Sequence, residues 1–341
     1  MRIRWSGVVG IGVTLVLLWW VLHDVAFADV WAELRHAQWG WLLAAVAVAT
    51  ITFPLRAIRW RILLRYEGAP APLSPVWHAT AIGFMANNLL GRWGEVARAY
   101  AARQLTGVRF TTAAASIGVE RLFDGLVIIG LLLVGIAAGG FAGAATIKGV
   151  PVSRIATTTG LFFTAGLVVA VLVVAWPAWW LRLAERLATR LLPRPWAGKV
   201  VSLLDGVIEG LSALRAPGRL VAVLAWSVII WTVNAASFAL AFLAFNLTLP
   251  PGAALVLQGL IALGVALPSS PGFFGVFEAV TVAVLALYGI AQTQAVSVAI
   301  GYHIGGFIPI TLLGLWSLGR ANLHLSNLRA ESTGGREDGR T

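Results

Sequence analysis

Leu267-Pro268-Ser269-Ser270-Pro271-Gly272-Phe273-Phe274-Gly275-Val276-Phe277-Glu278 cuts through an otherwise apolar stretch, with Ala253–Leu267 before it and Phe273–Tyr288 after it. Two prolines and two glycines in twelve residues break a helix here. Proline removes a backbone donor and clashes with the preceding turn, and glycine admits backbone that other residues avoid. A helix restarting near Gly272 would aim its N–H groups at the break, with Glu278 about two turns in. In lipid, such irregular backbone is tolerated only where protein or a water-filled cavity surrounds it. A break of this kind reads either as a simple helix-breaking turn or, in a chain that lives in a membrane, as a place where an anionic group docks.

The composition meets that condition. Of 341 residues, 59% are apolar and 11% are charged, and the mean hydropathy is +0.86. A soluble protein carries about 25% charged residues. A chain so poor in charge cannot cover a water-facing surface, which excludes soluble, disordered and fibrous classes. There is no cysteine, so disulfides, thiolate metal sites and cysteine nucleophiles are excluded. The net charge of +11 comes almost entirely from arginine. It fits loops facing anionic headgroups and not nucleic acid, since no basic run belongs to a soluble fold.

The fold expected is an all-α, polytopic transmembrane bundle occupying residues 1–320. Six full spans are expected at Gly7–Leu22, Trp39–Leu55, Thr112–Ala138, Thr157–Trp176, Leu220–Phe245 and Ala295–Leu318. Arg2 and Arg4 before the first, and Ala26-Phe27-Ala28 after it, resemble a signal peptide. The equally apolar remainder favours an uncleaved helix. Val76–Leu90, Ala253–Leu267 and Phe273–Tyr288 are short or interrupted, which suits two re-entrant hairpins. Residues 178–216 read as cytoplasmic amphipathic helices, with Arg182, Arg186 and Arg190 on the first. Residues 321–341 read as a polar, disordered tail.

Charge orients this arrangement. With a cytoplasmic N-terminus, 21 of the 25 basic residues fall in cytoplasmic pieces, including the eight from Arg56 to Arg109. The positive-inside rule predicts that bias and puts both termini in the cytoplasm; the membrane expected is a bacterial inner membrane. Shifting the chain by 183 residues lays Glu95 on Glu278 and Ile117-Gly118-Val119-Glu120 on Ile300-Gly301-Tyr302-His303. Segments 76–138 and 253–318 thus read as an inverted repeat, each a broken hairpin followed by a long span.

The few polar groups at membrane depth are the candidate site. An ionisable side chain there costs about 2.5–3.5 kcal/mol or more, so it needs a partner or a cavity. Glu120, Arg121 and Asp124 form such a group, as a self-satisfied ion cluster or as the lining of a crevice. Asn87 and Asn88 end an apolar arm, and Arg92, Glu95 and Arg98 follow at helical spacing. They read either as an ordinary charged face or as a phosphate site, to which arginine is suited. Pro268, Ser269, Ser270, Pro271, Gly272 and Glu278 form the second break. His303 reads as a packing residue or a proton carrier. Arg56, Arg59 and Trp60 read as an interfacial face touching headgroups.

Four phrases together carry a resemblance. They are Arg56-x-x-Arg59-Trp60-x-x-Leu63-Leu64, Gly91-Arg92-x-Gly94-Glu95-x-x-Arg98, Glu120-Arg121-x-x-Asp124, and Pro268-x-x-Pro271-Gly272-x-x-Gly275-x-x-Glu278. In order and spacing they resemble the lysylphosphatidylglycerol synthase transmembrane family, the flippase-like membrane proteins. One departure is Leu90, where the family usually has proline before Gly-Arg. The resemblance implies a lipid-translocating domain without the family's soluble aminoacyl-transfer domain, with an anionic, aminoacylated or polyprenyl-linked lipid as cargo. On this reading the protein is not an enzyme and needs no cofactor or metal. No phosphate-loop motif is present, and none of its five Asp lies within three residues of another. The partners expected are the lipid, anionic headgroups, and either lipid-biosynthesis enzymes or a second copy. A membrane-embedded enzyme acting on a polyprenyl-phosphate lipid and an accessory subunit stand as alternatives.

Overall fold

The structure, a computed structural model, describes residues 5–23, 25–66, 69–91, 93–138, 176–191, 216–266 and 270–323, with scattered positions between 146 and 208. Among the described residues, four helices are long and apolar enough to cross a membrane: α3 (Trp39–Leu63), α6 (Phe110–Ala138), α8 (Pro217–Ala244) and α11 (Gln292–Arg320). The chain is an all-α integral membrane protein. At the N-terminus, α1 (Trp5–Leu22) and α2 (Phe27–His36) meet at a bend of 78° and count as a fifth span if taken together. The shorter helices are α4 (Leu73–Leu90), α5 (Gly94–Thr106), α7 (Pro177–Leu191), α9 (Ala253–Gly264) and α10 (Val276–Ala286). Two antiparallel ribbons of two residues per strand join helices, Arg65–Tyr66 with Ala69–Pro70 and Thr146–Ile147 with Val150–Pro151. On α7, Arg182, Arg186 and Arg190 are exposed. The expected span Thr157–Trp176, the second amphipathic helix and the tail from 324 lie wholly or largely outside the described residues.

Two apolar cores form. One joins Val21, Leu42, Phe242, Leu257, Leu285 and Val296, which come from α1, α3, α8, α9, α10 and α11. The other joins Trp60, Ile82, Ala101, Ile117, Val223 and Leu318, from α3, α4, α5, α6, α8 and α11. The long helices thread both cores. By contrast α4 and α5 contribute only to the second, and α9 and α10 only to the first.

Glycine sets the closest approaches. A side-chain carbon at Gly94 would overlap the Asn87 side chain and the Gly83 carbonyl, and one at Gly314 would overlap Met85. Small residues let helix backbones come this near, which is how helices associate where lipid offers no hydrophobic drive. Gly94→Ala is expected to separate α4 from α5, at about 1–3 kcal/mol as for other overpacking. A melting midpoint of the detergent-solubilised variant equal to the wild type would contradict this.

Three expectations change. The second span does not end at Leu55. It runs through Pro54 to Leu63 and carries Arg56, Arg59 and Trp60 into the bundle, where Arg59 and Trp60 are 0% exposed. These residues are therefore not an interfacial face; charge neutralisation by partners on α6, which hydropathy does not register, lets them enter. For the same reason Arg56, Arg59 and Arg98 are buried charges and not loop charges facing the cytoplasm. The helix after the second break starts at Val276, not near Gly272. Gly272, Phe273 and Gly275 have φ of 72°, 62° and 84°, outside a right-handed helix. Glu278 consequently lies in the first turn of α10.

Candidate functional site

The polar layer between the two cores is built on Arg59. Its Nη2 donates to Glu120 Oε1 at 3.1 Å and to Asp124 Oδ2 at 3.2 Å, and its Nη1 donates to Ser227 Oγ at 2.7 Å and to Asp124 Oδ1. Arg98 Nη1 donates to the other Glu120 oxygen at 2.6 Å, and Trp231 Nε1 donates to Asp124 Oδ1 at 2.8 Å. Arg121 Nη2 and Arg56 Nη1 stand 3.6 and 3.8 Å from Asp124 Oδ2. Glu120 and Asp124 sit on one face of α6 at a spacing of four residues, which is why one guanidinium reaches both.

The cations are stacked as well as paired. The Arg98 guanidinium lies 3.8 Å from the centre of the Trp60 ring, whose Nε1 donates to Ser116 Oγ. Arg56 lies 4.6 Å from the Trp231 ring and 5.5 Å from Phe84. Four guanidiniums thus gather around two carboxylates. Nε and Nη2 of Arg98 and Nε of Arg121 are buried and find no hydrogen-bond partner among the described residues. Buried donors without acceptors are costly, so the layer has capacity for an anion.

Arg121, though not Arg98, lines a cavity of about 470 Å³ together with Arg56, Asp124, Glu95, Trp231 and Gln258, among others. Gln258 is 2% exposed, and neither its Nε2 nor its Oε1 has a partner among the described residues. A second space of about 220 Å³ shares Arg56, Asn88 and Asn234 with the first and reaches Gly272, Tyr302 and His303. Its wall is largely aromatic.

The two breaks flank this space. At the first, Gly91 has φ 71°, and Asn87 Oδ1 accepts the Gly94 N–H at 3.0 Å to start α5. Asn88 Nδ2 donates to Thr311 Oγ1 at 3.0 Å, tying α4 to α11. At the second, Glu278 Oε2 accepts the Gly275 N–H at 2.6 Å and Oε1 meets His303 Nδ1 at 2.6 Å. Thr14 of α1 accepts the Ser270 N–H and donates to the Phe274 carbonyl, both at 3.2 Å. A carbon added to Gly91 would stand 3.9 Å from Pro271, so the breaks touch.

Of the residues singled out by sequence, the structure gathers Arg56, Asn87, Asn88, Glu95, Arg121 and Asp124 on one cavity, with Gly272 and His303 on its extension. Glu120, Arg59 and Arg98 stand behind the wall as its charge support. Arg98 and Glu95 do not form one solvated face, since Arg98 turns inward to Glu120. Arg92, Pro268 and Ser269 lie outside the described residues. Trp231, Asn234 and Gln258 were not singled out. Gln258 and Asn234 had a signal, each being an amide within an apolar run. No group of three or more His, Cys, Asp or Glu able to hold a metal ion occurs among the described residues.

A chain of this kind, broken helices around a pocket lined by arginines, carboxylates and amides, falls in a known class. Residues 7–314 match the family described as Lysylphosphatidylglycerol synthase TM region, and the chain belongs to that family. A curated relative named Glycosyltransferase AglD, from Haloferax volcanii, is 30% identical over 351 residues. The match covers 95% of this chain but 56% of that protein, so the chain spans about half the length of the relative. No solved structure matches significantly. The relative's name overturns the expectation of a non-enzymatic protein. That expectation rested on the missing aminoacyl-transfer domain, and the lack of that one domain does not exclude another kind of enzyme. Family and relative together point to a membrane function concerned with lipids.

Proposed function

We propose that the cavity binds the phosphate of a membrane lipid headgroup and that the protein moves such lipids across the membrane, the acyl or polyprenyl tails staying in the bilayer. The observation that carries this reading is a layer in which Arg56, Arg59, Arg98 and Arg121 surround Glu120 and Asp124, and whose Arg56 and Arg121 line a cavity beside Asp124 and Glu95. A phosphate on Arg56 and Arg121 adds negative charge on the side of the layer where those two guanidiniums face the cavity, and arginine binds phosphate in a fork geometry. The neutral amides of Asn88, Asn234 and Gln258 suit uncharged polar parts of a headgroup.

The topology read from the sequence supports a transit path. The pair α4–α5 packs in one core and α9–α10 in the other, as expected of two re-entrant hairpins entering from opposite sides. Each pair restarts with a glutamate in its first turn, Glu95 or Glu278, and is followed by a long helix whose polar residue is Glu120 or His303. The charge bias, counted without the buried Arg56, Arg59 and Arg98, supports cytoplasmic termini. The second reading, glycosyl transfer to or from a lipid phosphate held in the same cavity, is favoured by the name of the relative.

Purified protein in liposomes containing a fluorescent polyprenyl phosphate separates the two. Unaltered probe reaching the opposite leaflet, faster than in protein-free liposomes, is the expected result. Probe converted to a glycosylated product when nucleotide-activated sugar is added supports the second reading. Neither result, with no phospholipid recovered from the protein on extraction, overturns both.

A further inference from the structure

At the second break one side chain reaches both the turn and the helix that follows it. His303 Nε2 donates to the Gly272 carbonyl at 2.9 Å, while Nδ1 faces Glu278 Oε1 at 2.6 Å. The imidazole is held between aromatic neighbours, 4.6 Å from Phe274 and 4.3 Å from Phe277. His303 therefore joins three things: the turn at Gly272, the start of α10 at Glu278, and α11.

Donors and acceptors fix the proton count. A carbonyl only accepts, so the proton on Nε2 is committed to Gly272, and the tautomer follows from the network. Between Nδ1 and Oε1 a hydrogen bond requires one more proton. On nitrogen it makes an imidazolium beside a carboxylate; on oxygen it makes a neutral imidazole beside a carboxylic acid. Without it two lone pairs confront each other at 2.6 Å and the bond is lost. We propose that His303 and Glu278 hold one exchangeable proton that latches the second break, so that opening of the passage is proton-linked. The proposal rests on the reading of the cavity as a lipid passage.

The surroundings leave that proton to the pair. On α3, Arg56 shares the cavity with His303, Arg59 is committed to α6, and Arg61 donates to the Ala71 carbonyl. On α11, Tyr302 turns to Ser237 Oγ at 2.6 Å and Arg320 is exposed at the C-terminal end. His78 of α4 bonds Ser317, fourteen residues along α11 from His303. On α2, Asp29, Arg35 and His36 are exposed and Glu33 is half-buried, and on α8 the charged residue is Arg219, near its start. Helices α1, α9 and α10 carry no titratable group apart from Glu278. His303 is 11% exposed and lines the smaller cavity, so the proton can leave to water there or to a phosphate oxygen of bound lipid.

Two measurements test this. In the full chain, labelled with 15N-histidine and held in lipid nanodiscs, the signal absent from His303→Gln belongs to His303. A hydrogen-bonded, exchange-protected Nδ1 proton that disappears in Glu278→Gln is the expected result. An ordinary free-imidazole signal, unchanged by Glu278→Gln, overturns the latch. In liposomes, flux of fluorescent polyprenyl phosphate is expected to change with pH by up to about tenfold per unit, as for one linked proton. The dependence flattens in both Glu278→Gln and His303→Gln. Flux independent of pH in the wild type, or equally dependent in both variants, overturns the linkage. A wild type that moves no probe sinks the lipid reading, and the nanodisc spectrum still decides the proton.

Discussion

Arg59→Leu unfolds the bundle from its middle. The guanidinium is 0% exposed and bonds both Glu120 and Asp124. Removing it leaves two carboxylates at membrane depth with fewer partners and frees Ser227. Breaking a buried pair by deleting one partner costs about 3–5 kcal/mol, a large share of the ~5–15 kcal/mol that holds a typical domain. Loss of the folded protein from a detergent extract, read by size-exclusion profile and melting midpoint, is the expected outcome. The double variant Arg59→Leu with Asp124→Leu is expected to recover part of the loss. It removes the stranded charge and leaves Glu120 paired with Arg98, and replacing a whole ion pair with apolar groups is often neutral. A double variant no better than the single one would show that the cost lies in packing and not in uncompensated charge.

Arg56→Ala is expected to do the opposite, sparing the fold and removing capture of the lipid phosphate. Asp124 keeps Arg59, Arg121 and Trp231 when Arg56 is cut back, since the Arg56 contact is the longest of its ion pairs at 3.8 Å. What goes is the guanidinium that both cavity spaces share. Truncating one partner of a desolvated charge pair costs about 2–5 kcal/mol, or roughly thirtyfold to several thousandfold in affinity. Binding of fluorescent polyprenyl phosphate to nanodisc-embedded protein reads this directly. Arg56→Lys keeps the charge and loses the flat stack on Trp231, so it is expected to fall between the two. Unchanged binding in Arg56→Ala, with an unchanged melting midpoint, would move the anion site away from this cavity.

These two residues also show what the sequence could and could not convey. Glu120 and Asp124 are legible because an acid inside an apolar run is conspicuous. Their partner Arg59 is not, because the arginines after Leu55 look like the end of a span. Only the pairing, across 61 residues to Glu120, explains how the helix continues inward. The breaks were legible from proline and glycine, yet the restart at Val276 was not. It depends on Glu278 capping Gly275, a local bond that competes with the helix-dipole argument for Gly272. Arg98 had the spacing of a phosphate ligand and is instead half spent on Glu120. His303 was legible as a polar residue among glycines, but its bond to a glutamate 25 residues away was not.

The two apolar cores have a mechanical consequence. Each is packed like an interior and resists shape change, while the layer between them is held by ion pairs, amides and cavity space. The softest plane of the molecule therefore lies where the cores meet. Backbone amides near Gly91 and Gly272 should be the first to exchange their hydrogens, long before those of either core. Because α3, α6, α8 and α11 run through both cores, motion of one core against the other must bend these helices, and the charged layer is where the bend falls.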